Sequence, residues 1–109
     1  MEMVSNPRPG SDLTAFDYEA ITVATTSVGF TAGTITPSGA RPAHAARVTA
    51  ETAQMRYRFD GGDPTSTEGH LLDIGDIVDI EGINNVSNAR FIRTTATSGT
   101  IRCTFLRYV

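Results

Sequence analysis

The feature that most constrains this chain is a recurring combination: a short stretch of alternating side chains followed by a cluster of turn-forming residues. The clearest case is residues 55–59, where Met55, Tyr57 and Phe59 alternate with arginines and are predicted to share one face. The cluster Asp-Gly-Gly-Asp-Pro follows at once, at residues 60–64. This combination predicts β-strands joined by tight turns.

Several other stretches rich in β-branched residues repeat the pattern. We predict strands at residues 18–26, 34–36, 45–52, 55–59, 77–83, 89–96 and 100–108. No segment predicts a convincing helix. Residues 84–85 are predicted to form a turn, and the last two strands an antiparallel hairpin. The predicted fold class is therefore all-β, as a small antiparallel β-sandwich of jelly-roll-like form or a barrel.

The length of 109 residues fits one domain. Residues 1–12 contain Pro7, Pro9 and Gly10 and show no periodicity, which predicts an extended N-terminal arm before a single β-sandwich domain at 13–109. The arm is either a frayed terminus or a segment that packs on a neighbouring subunit. Leu, Ile, Val and Phe make up only 24 residues, so a homo-oligomer, trimer or dimer, that completes its burial between subunits is plausible.

Charge and hydropathy exclude several classes of partner. The net charge of −3 disfavours double-stranded nucleic acid, which needs a basic footprint. No apolar run approaches the roughly 20 residues that span a membrane, and no signal peptide is visible. Cys103 is the single cysteine, so no internal disulfide is expected, and it is predicted to face inward with Ile101 and Phe105.

The sequence shows no pattern that calls for catalysis or a cofactor. His44 and His70 do not have metal-ligand spacing, and a phosphate-binding loop of the GxxxxGK[ST] type requires a lysine that the chain lacks. Six acidic residues close in sequence could serve as paired carboxylates or Ca²⁺ ligands: Asp60, Asp63, Asp73, Asp76, Asp79 and Glu81. The first four fall in predicted turns, where aspartate has a structural role. We predict no enzyme, no metal and no cofactor.

All nine basic residues are arginine. Codon bias could explain this, or the guanidinium forks could serve pairing with carboxylates at interfaces. The arginines on predicted strands and the proline-flanked arginine of the arm are the candidate interface residues, with a solvated sheet face as the alternative for each strand arginine. The candidates are Arg56, Arg58, Arg90, Arg93, Arg102, Arg107, Pro7, Arg8 and Pro9.

A longer motif runs from Ala53 to Asp76. It reads A-x-h-R-Y-R-x-D-G-x-x-P-T-x(3)-G-h-x-L-x-x-G-D, where h is an apolar residue or the histidine of Gly-His, and residues 88–108 continue it. The pattern resembles small structural proteins encoded in tailed-bacteriophage genomes. The resemblance covers residues 45–108.

The resemblance implies a non-enzymatic virion protein, above all a capsid decoration or cement protein that bridges neighbouring capsomers. It would be made in the host cytoplasm, contact the major capsid protein at the capsid surface, and gain avidity from many symmetric copies. The alternatives are a tail, fibre or baseplate β-domain, or a carbohydrate-binding module for host attachment. For the last, Tyr18, Tyr57 and Tyr108 are the candidate sugar contacts, although Tyr57 is expected in the core.

Overall fold

The computed structural model describes residues 12–108, and they form two antiparallel sheets packed face to face. The strands are β1 (Leu13–Val23), β2 (Ala45–Glu51), β3 (Met55–Arg58), β4 (His70–Leu72), β5 (Ile77–Glu81), β6 (Arg90–Arg93) and β7 (Gly99–Tyr108). Two short helices are α1 (Ala32–Ile35) and α2 (Ile83–Asn88). The prediction of an all-β sandwich is confirmed.

The strand order is β1-β7-β2-β5 in the larger sheet and β4-β3-β6 in the smaller. An isolated antiparallel bridge joins Val28 to Phe91 on the free edge of β6. If Val28 is counted as a one-residue strand between β1 and β2, the two sheets have the strand order of an eight-stranded jelly roll.

The core lies between the sheets and follows the predicted alternation. Val48 and Ala50 of β2 are fully buried, as are Ile101, Cys103 and Phe105 of β7. The smaller sheet contributes Met55, Leu72 and Phe91 from the other side. The inward orientation predicted for Cys103 is confirmed, and burial raises the pKa of its thiol to about 12.

The predicted hairpin of the last two strands is wrong. β6 pairs with β3 in the smaller sheet, whereas β7 pairs with β1 and β2 in the larger. Both edges of β6 are occupied, one by β3 and the other by Val28. Both edges of β7 are occupied by β1 and β2, so β6 and β7 cannot also pair with each other. Residues 94–98 instead cross from one sheet to the other.

Two segments predicted as strand and turn are helical. The strand predicted at 34–36 is the single turn α1, whose Ile35 is buried in the core and whose Thr36 hydroxyl donates to the Ala32 carbonyl. The turn predicted at 84–85 lies inside α2, which buries Val86. In both cases one aliphatic side chain reaches the core from a single helical turn, and this packing overrides weak helix propensity.

Strand boundaries differ from prediction where the backbone leaves the sheet. β1 begins at Leu13 rather than 18, with a register shift between Ala15 and Asp17. β2 ends before Thr52, which is exposed and has a φ of 77°. β3 ends at Arg58, so Phe59 lies on the rim and is 37% exposed instead of facing the core with Met55.

No helix of residues 12–108 is long and apolar enough to cross a membrane.

The core predicts where the fold is sensitive to mutation. Phe91 is fully buried, and its ring lies 5.6 Å from that of Phe30 and 5.9 Å from that of Tyr57. We expect Phe91→Ala to lower the free energy of unfolding by about 3–5 kcal/mol, measured by urea denaturation. Ile77→Ala, at a 61% exposed position of β5, is the control and should change it by no more than about 0.5 kcal/mol. Equal losses in the two variants would contradict this placement of the core.

Candidate functional site

The arginines predicted as interface residues fall on both sheets and do not form one patch. Arg56, Arg58, Arg90 and Arg93 lie on β3 and β6 of the smaller sheet, and Arg102 and Arg107 on β7 of the larger. Pro7, Arg8 and Pro9, with the rest of the arm up to residue 11, lie outside the described residues. Each of the six strand arginines contacts a partner within its own chain.

Arg56 and Arg58 hold the loop between β3 and β4, residues 59–69. Arg56 donates to the carbonyl oxygens of Gly69 (2.9 Å) and Ser66 (3.2 Å). Arg58 donates to both carboxylate oxygens of Asp60, at 3.0 and 2.7 Å, and to the Asp63 carbonyl. Because these bonds connect the strand to both ends of the loop, the two arginines fix its shape.

Gly69 of the motif and Gly62, which lies at one of its unspecified positions, both fit closely in this loop. A Cβ on Gly62 would lie 2.7 Å from the Arg58 guanidinium carbon, so a larger residue there would have to displace that side chain. Gly69 has a φ of 127°, and a Cβ there would lie 3.1 Å from the Tyr57 carbonyl oxygen. Pro64, within the loop, is buried. The central part of the motif, from Arg56 to Gly69, therefore builds this loop.

Aromatic rings lead from the core to the surface beside the same loop. The Phe91 ring in the core lies 5.9 Å from that of Tyr57, which is half-buried. Tyr57 lies 6.2 Å from Phe59 and 5.3 Å from His70, and the planes of Phe59 and Tyr57 are only 19° apart. Phe59 and His70 are both exposed. Burial raises the pKa of the Tyr57 hydroxyl.

Arg58, Phe59, Asp60 and His70 line a pocket of about 150 Å³, which we call the rim pocket. Its wall is charged on one side and aromatic on the other. The hydrogen bonds from Arg58 and from the Gly62 amide lower the pKa of Asp60 from 3.8 to about 2. Asp60 is therefore a carboxylate at every pH above about 4.

The other candidate surface is the outward side of the larger sheet, which we call the outer face. Arg102 donates to Glu51 at 2.8 Å and to the Tyr18 hydroxyl at 3.0 Å, and these bonds raise the pKa of its guanidinium. Arg47 makes a bidentate pair with Asp79, at 2.8 and 3.0 Å, which lowers the pKa of Asp79. These two groups give the face fixed charges.

A groove of about 450 Å³ lies at one end of the outer face. Its apolar surface comes from Leu13, Ala45 and Leu106, and the Arg47–Asp79 pair forms part of its wall. An adjoining concavity of about 360 Å³ includes His44 and Tyr108, whose rings meet edge to face at 4.7 Å. The Nδ1 atom of His44 is buried and has no hydrogen-bond partner among residues 12–108.

The remaining strand arginines act locally. Arg90 donates to the carbonyl oxygens of Ser87 and Ala89. Arg93 donates to the Ser98 hydroxyl at 3.0 Å. The Arg107 guanidinium lies 4.3 Å above the Phe16 ring, in a cation–π contact.

The turn aspartates also have structural partners. Asp63 accepts from Ser27 at 2.7 Å, Asp73 from Gln54 at 2.6 Å, and Asp76 from the Asp73 amide at 2.9 Å. No group of three or more potential metal ligands occurs within residues 12–108.

The sequence prediction missed both the rim pocket and the Arg47–Asp79 pair. The sequence places opposite charges at outward positions of the two predicted strands. It does not indicate that these two positions lie opposite each other in the sheet. The pocket gave no such signal, because Phe59 was predicted to share a face with Met55 and Tyr57, and His70 is 11 residues further along the chain.

The chain was compared with models of protein families, with curated proteins and with solved structures, and no match was found in any of the three comparisons.

The Arg58–Asp60 pair makes a pH-dependent contribution to stability. The pKa of Asp60 is lower in the folded chain than its unfolded value of 3.8, so its contribution is present above that value and is lost as the pH falls to about 2. We expect Asp60→Asn to lower the thermal midpoint at pH 6, with the difference from wild type shrinking between about pH 4 and pH 2. Glu81→Gln, at an exposed position on β5, is the control. A difference independent of pH would contradict the ion pair.

Proposed function

We propose that this chain is a non-enzymatic structural protein of a tailed-bacteriophage virion, a capsid decoration or cement protein that bridges neighbouring capsomers. Two lines support the proposal: the motif of residues 53–76, and an outer face suited to docking. Jelly rolls occur in viral capsid and lectin domains alike, so the fold is compatible with the proposal without selecting it.

The outer face is the observation that carries the proposal. Its side chains on β5, β7 and the second half of β1 are exposed or half-buried, and they include Tyr18 and Arg102. Arg47 on β2 is exposed on the same face. Tyrosine and arginine are enriched among the residues that contribute most to protein interfaces. Because hydrogen bonds already hold the two guanidinium groups, little side-chain entropy would be lost when a partner carboxylate binds them.

A cement protein needs many weak contacts and no reaction. Copies repeated on a symmetric shell gain avidity, so a modest single interface is sufficient. The proposed partners are the major capsid protein and further copies of this chain, as a trimer or dimer. In this proposal the arm at residues 1–12, with Arg8 between Pro7 and Pro9, contacts a neighbouring subunit.

The location in the virion tests the proposal directly. Purified virions that contain the chain would be analysed by quantitative mass spectrometry and cryo-electron microscopy. A cement protein should be present in hundreds of copies, with density between capsomers. A few to a few tens of copies, with density in the tail, would overturn the proposal in favour of a tail, fibre or baseplate domain.

Surface variants test which face docks. We expect Arg102→Glu to weaken binding to undecorated capsids by at least roughly tenfold, since it removes an interface cation and places a carboxylate beside Glu51. Binding would be measured by co-sedimentation. Leu71→Ala, at an exposed position of the smaller sheet, is the matched control and should bind as wild type does. If Leu71→Ala weakened binding and Arg102→Glu did not, the outer face would not be the docking face.

A further inference from the structure

The rim pocket has a combination of groups that the proposed function does not use. Phe59 and His70 present aromatic rings to solvent at the end of a row of rings that is anchored in the core through Tyr57 and Phe91. The Arg58–Asp60 pair lies directly beside them and lines the same pocket. Rigid aromatic rings next to fixed polar groups are typical of small-ligand sites.

The Arg58–Asp60 pair does not use all of its hydrogen-bond donors and acceptors. A carboxylate offers about four lone-pair sites, and Arg58 Nε, Arg58 Nη2 and the Gly62 amide fill three of those on Asp60. A guanidinium has five N–H donors, of which Arg58 uses three within the chain. About one lone-pair site of Asp60 and two N–H groups of Arg58 therefore remain without a partner within residues 12–108, and such adjacent charged acceptors and donors suit two neighbouring hydroxyl groups on a ligand.

The aromatic wall suits the other side of such a ligand. One face of a pyranose ring carries mainly C–H groups, whose partial positive charge is attracted to the negative face of an aromatic ring. Phe59 is 37% exposed and nearly parallel to Tyr57, which holds it in place. A volume of about 150 Å³ limits the site to a single ring in shallow contact.

The local charge selects among sugars. Asp60, Asp63 and Glu68 surround the one cation of the pocket, Arg58, and all three act electrostatically on it. A uronic acid, a sialic acid or a phosphate would meet this excess of negative charge, whereas a neutral sugar would not.

We propose that the rim pocket binds one neutral pyranose ring, stacked on Phe59 and hydrogen-bonded through its hydroxyl groups to Asp60 and Arg58. Of the three tyrosines named above as candidate sugar contacts, Tyr18 and Tyr108 lie on the larger sheet, and Tyr57 supports the pocket through Phe59 and His70 without lining it. The proposal goes beyond the proposed virion function and does not depend on it, because sugar binding by the isolated chain can be measured whatever its place in a particle.

Titrations followed by two-dimensional amide NMR test this proposal. The probes are methyl α-D-glucopyranoside, methyl β-D-galactopyranoside and methyl N-acetyl-β-D-glucosaminide. At least one should shift amide signals confined to residues 58–62 and 69–71, with a dissociation constant on the order of 1 mM, as expected for a ligand of this size in a shallow site. If none of the probes shifts these signals, or if the shifts map to the outer face, the proposal is wrong.

Variants distinguish stacking from a general surface effect. Phe59→Ala should weaken binding by roughly tenfold, whereas Phe59→Trp should retain it because the flat face is preserved. Asp60→Asn should also weaken binding. Tyr18→Ala, which removes an exposed aromatic ring from the outer face, is the matched control and should bind as wild type does. A thermal melt of each variant confirms that it is folded, and unchanged binding by folded Phe59→Ala would overturn the proposal.

Competing ligands test the choice of a neutral sugar. Methyl glucuronide should bind more weakly than methyl glucoside, because its carboxylate meets Asp60 and Glu68. Equal or tighter binding of the glucuronide would contradict the argument from charge. A proline-rich peptide or adenosine that shifts the same signals when the sugars do not would show that the pocket serves another ligand.

Discussion

The central position of β7 is the constraint on which the rest of the structure depends. This ten-residue strand pairs with β1 along one edge and with β2 along the other, and β2 in turn positions β5. Its alternate residues Ile101, Cys103 and Phe105 supply the centre of the core. Because β7 pairs with β1, the larger sheet is assembled only when residues about 80 positions apart meet, as Ile21 and Ile101 do. Such non-local pairing favours slow folding.

How much of the fold can be predicted depends on whether the deciding interaction is local. The alternation in β2 and β7 identifies both strands and their buried faces, because burial on one side of a sheet imposes a period of two. The same reasoning cannot decide which strands pair. Residues 89–96 and 100–108 are neighbours in sequence and resemble a hairpin, yet β6 and β7 belong to different sheets because other strands occupy their edges.

The two helices show a second limit to predicting the fold from the sequence. The sequence of α2, Ile-Asn-Asn-Val-Ser-Asn, has low helix propensity and no side-chain cap at its start. It is helical because one turn delivers Val86 to the core, and only the tertiary structure specifies this.

Phe59 illustrates the same point for the candidate site. Alternation placed it on one face with Met55 and Tyr57, but β3 ends one residue earlier and leaves the ring on the rim.

The motif of residues 53–76 acquires a physical meaning in the structure. Its arginines hold one loop, since Arg56 donates to the Gly69 carbonyl and Arg58 donates to Asp60. Arg58 also occupies the space that a side chain at the neighbouring Gly62 would need. Arginine serves here in a way that lysine could not, because one planar guanidinium bonds Asp60 through two atoms while a third reaches the Asp63 carbonyl. At these positions the exclusive use of arginine thus has a structural reason, whatever its origin elsewhere in the chain.

The pairing of Leu13 with Tyr108 has a further consequence. These residues lie opposite each other on adjacent strands. The start of β1 and the end of β7 are therefore separated by only one inter-strand spacing. A short linker could join these two points in a circular permutant. The exposed residues 95–97 would be a suitable place for the new chain termini. Leu13 lines the groove of the outer face, and both Leu13 and Tyr108 line the adjoining concavity. Any domain attached at either point would therefore project from the same corner of the molecule.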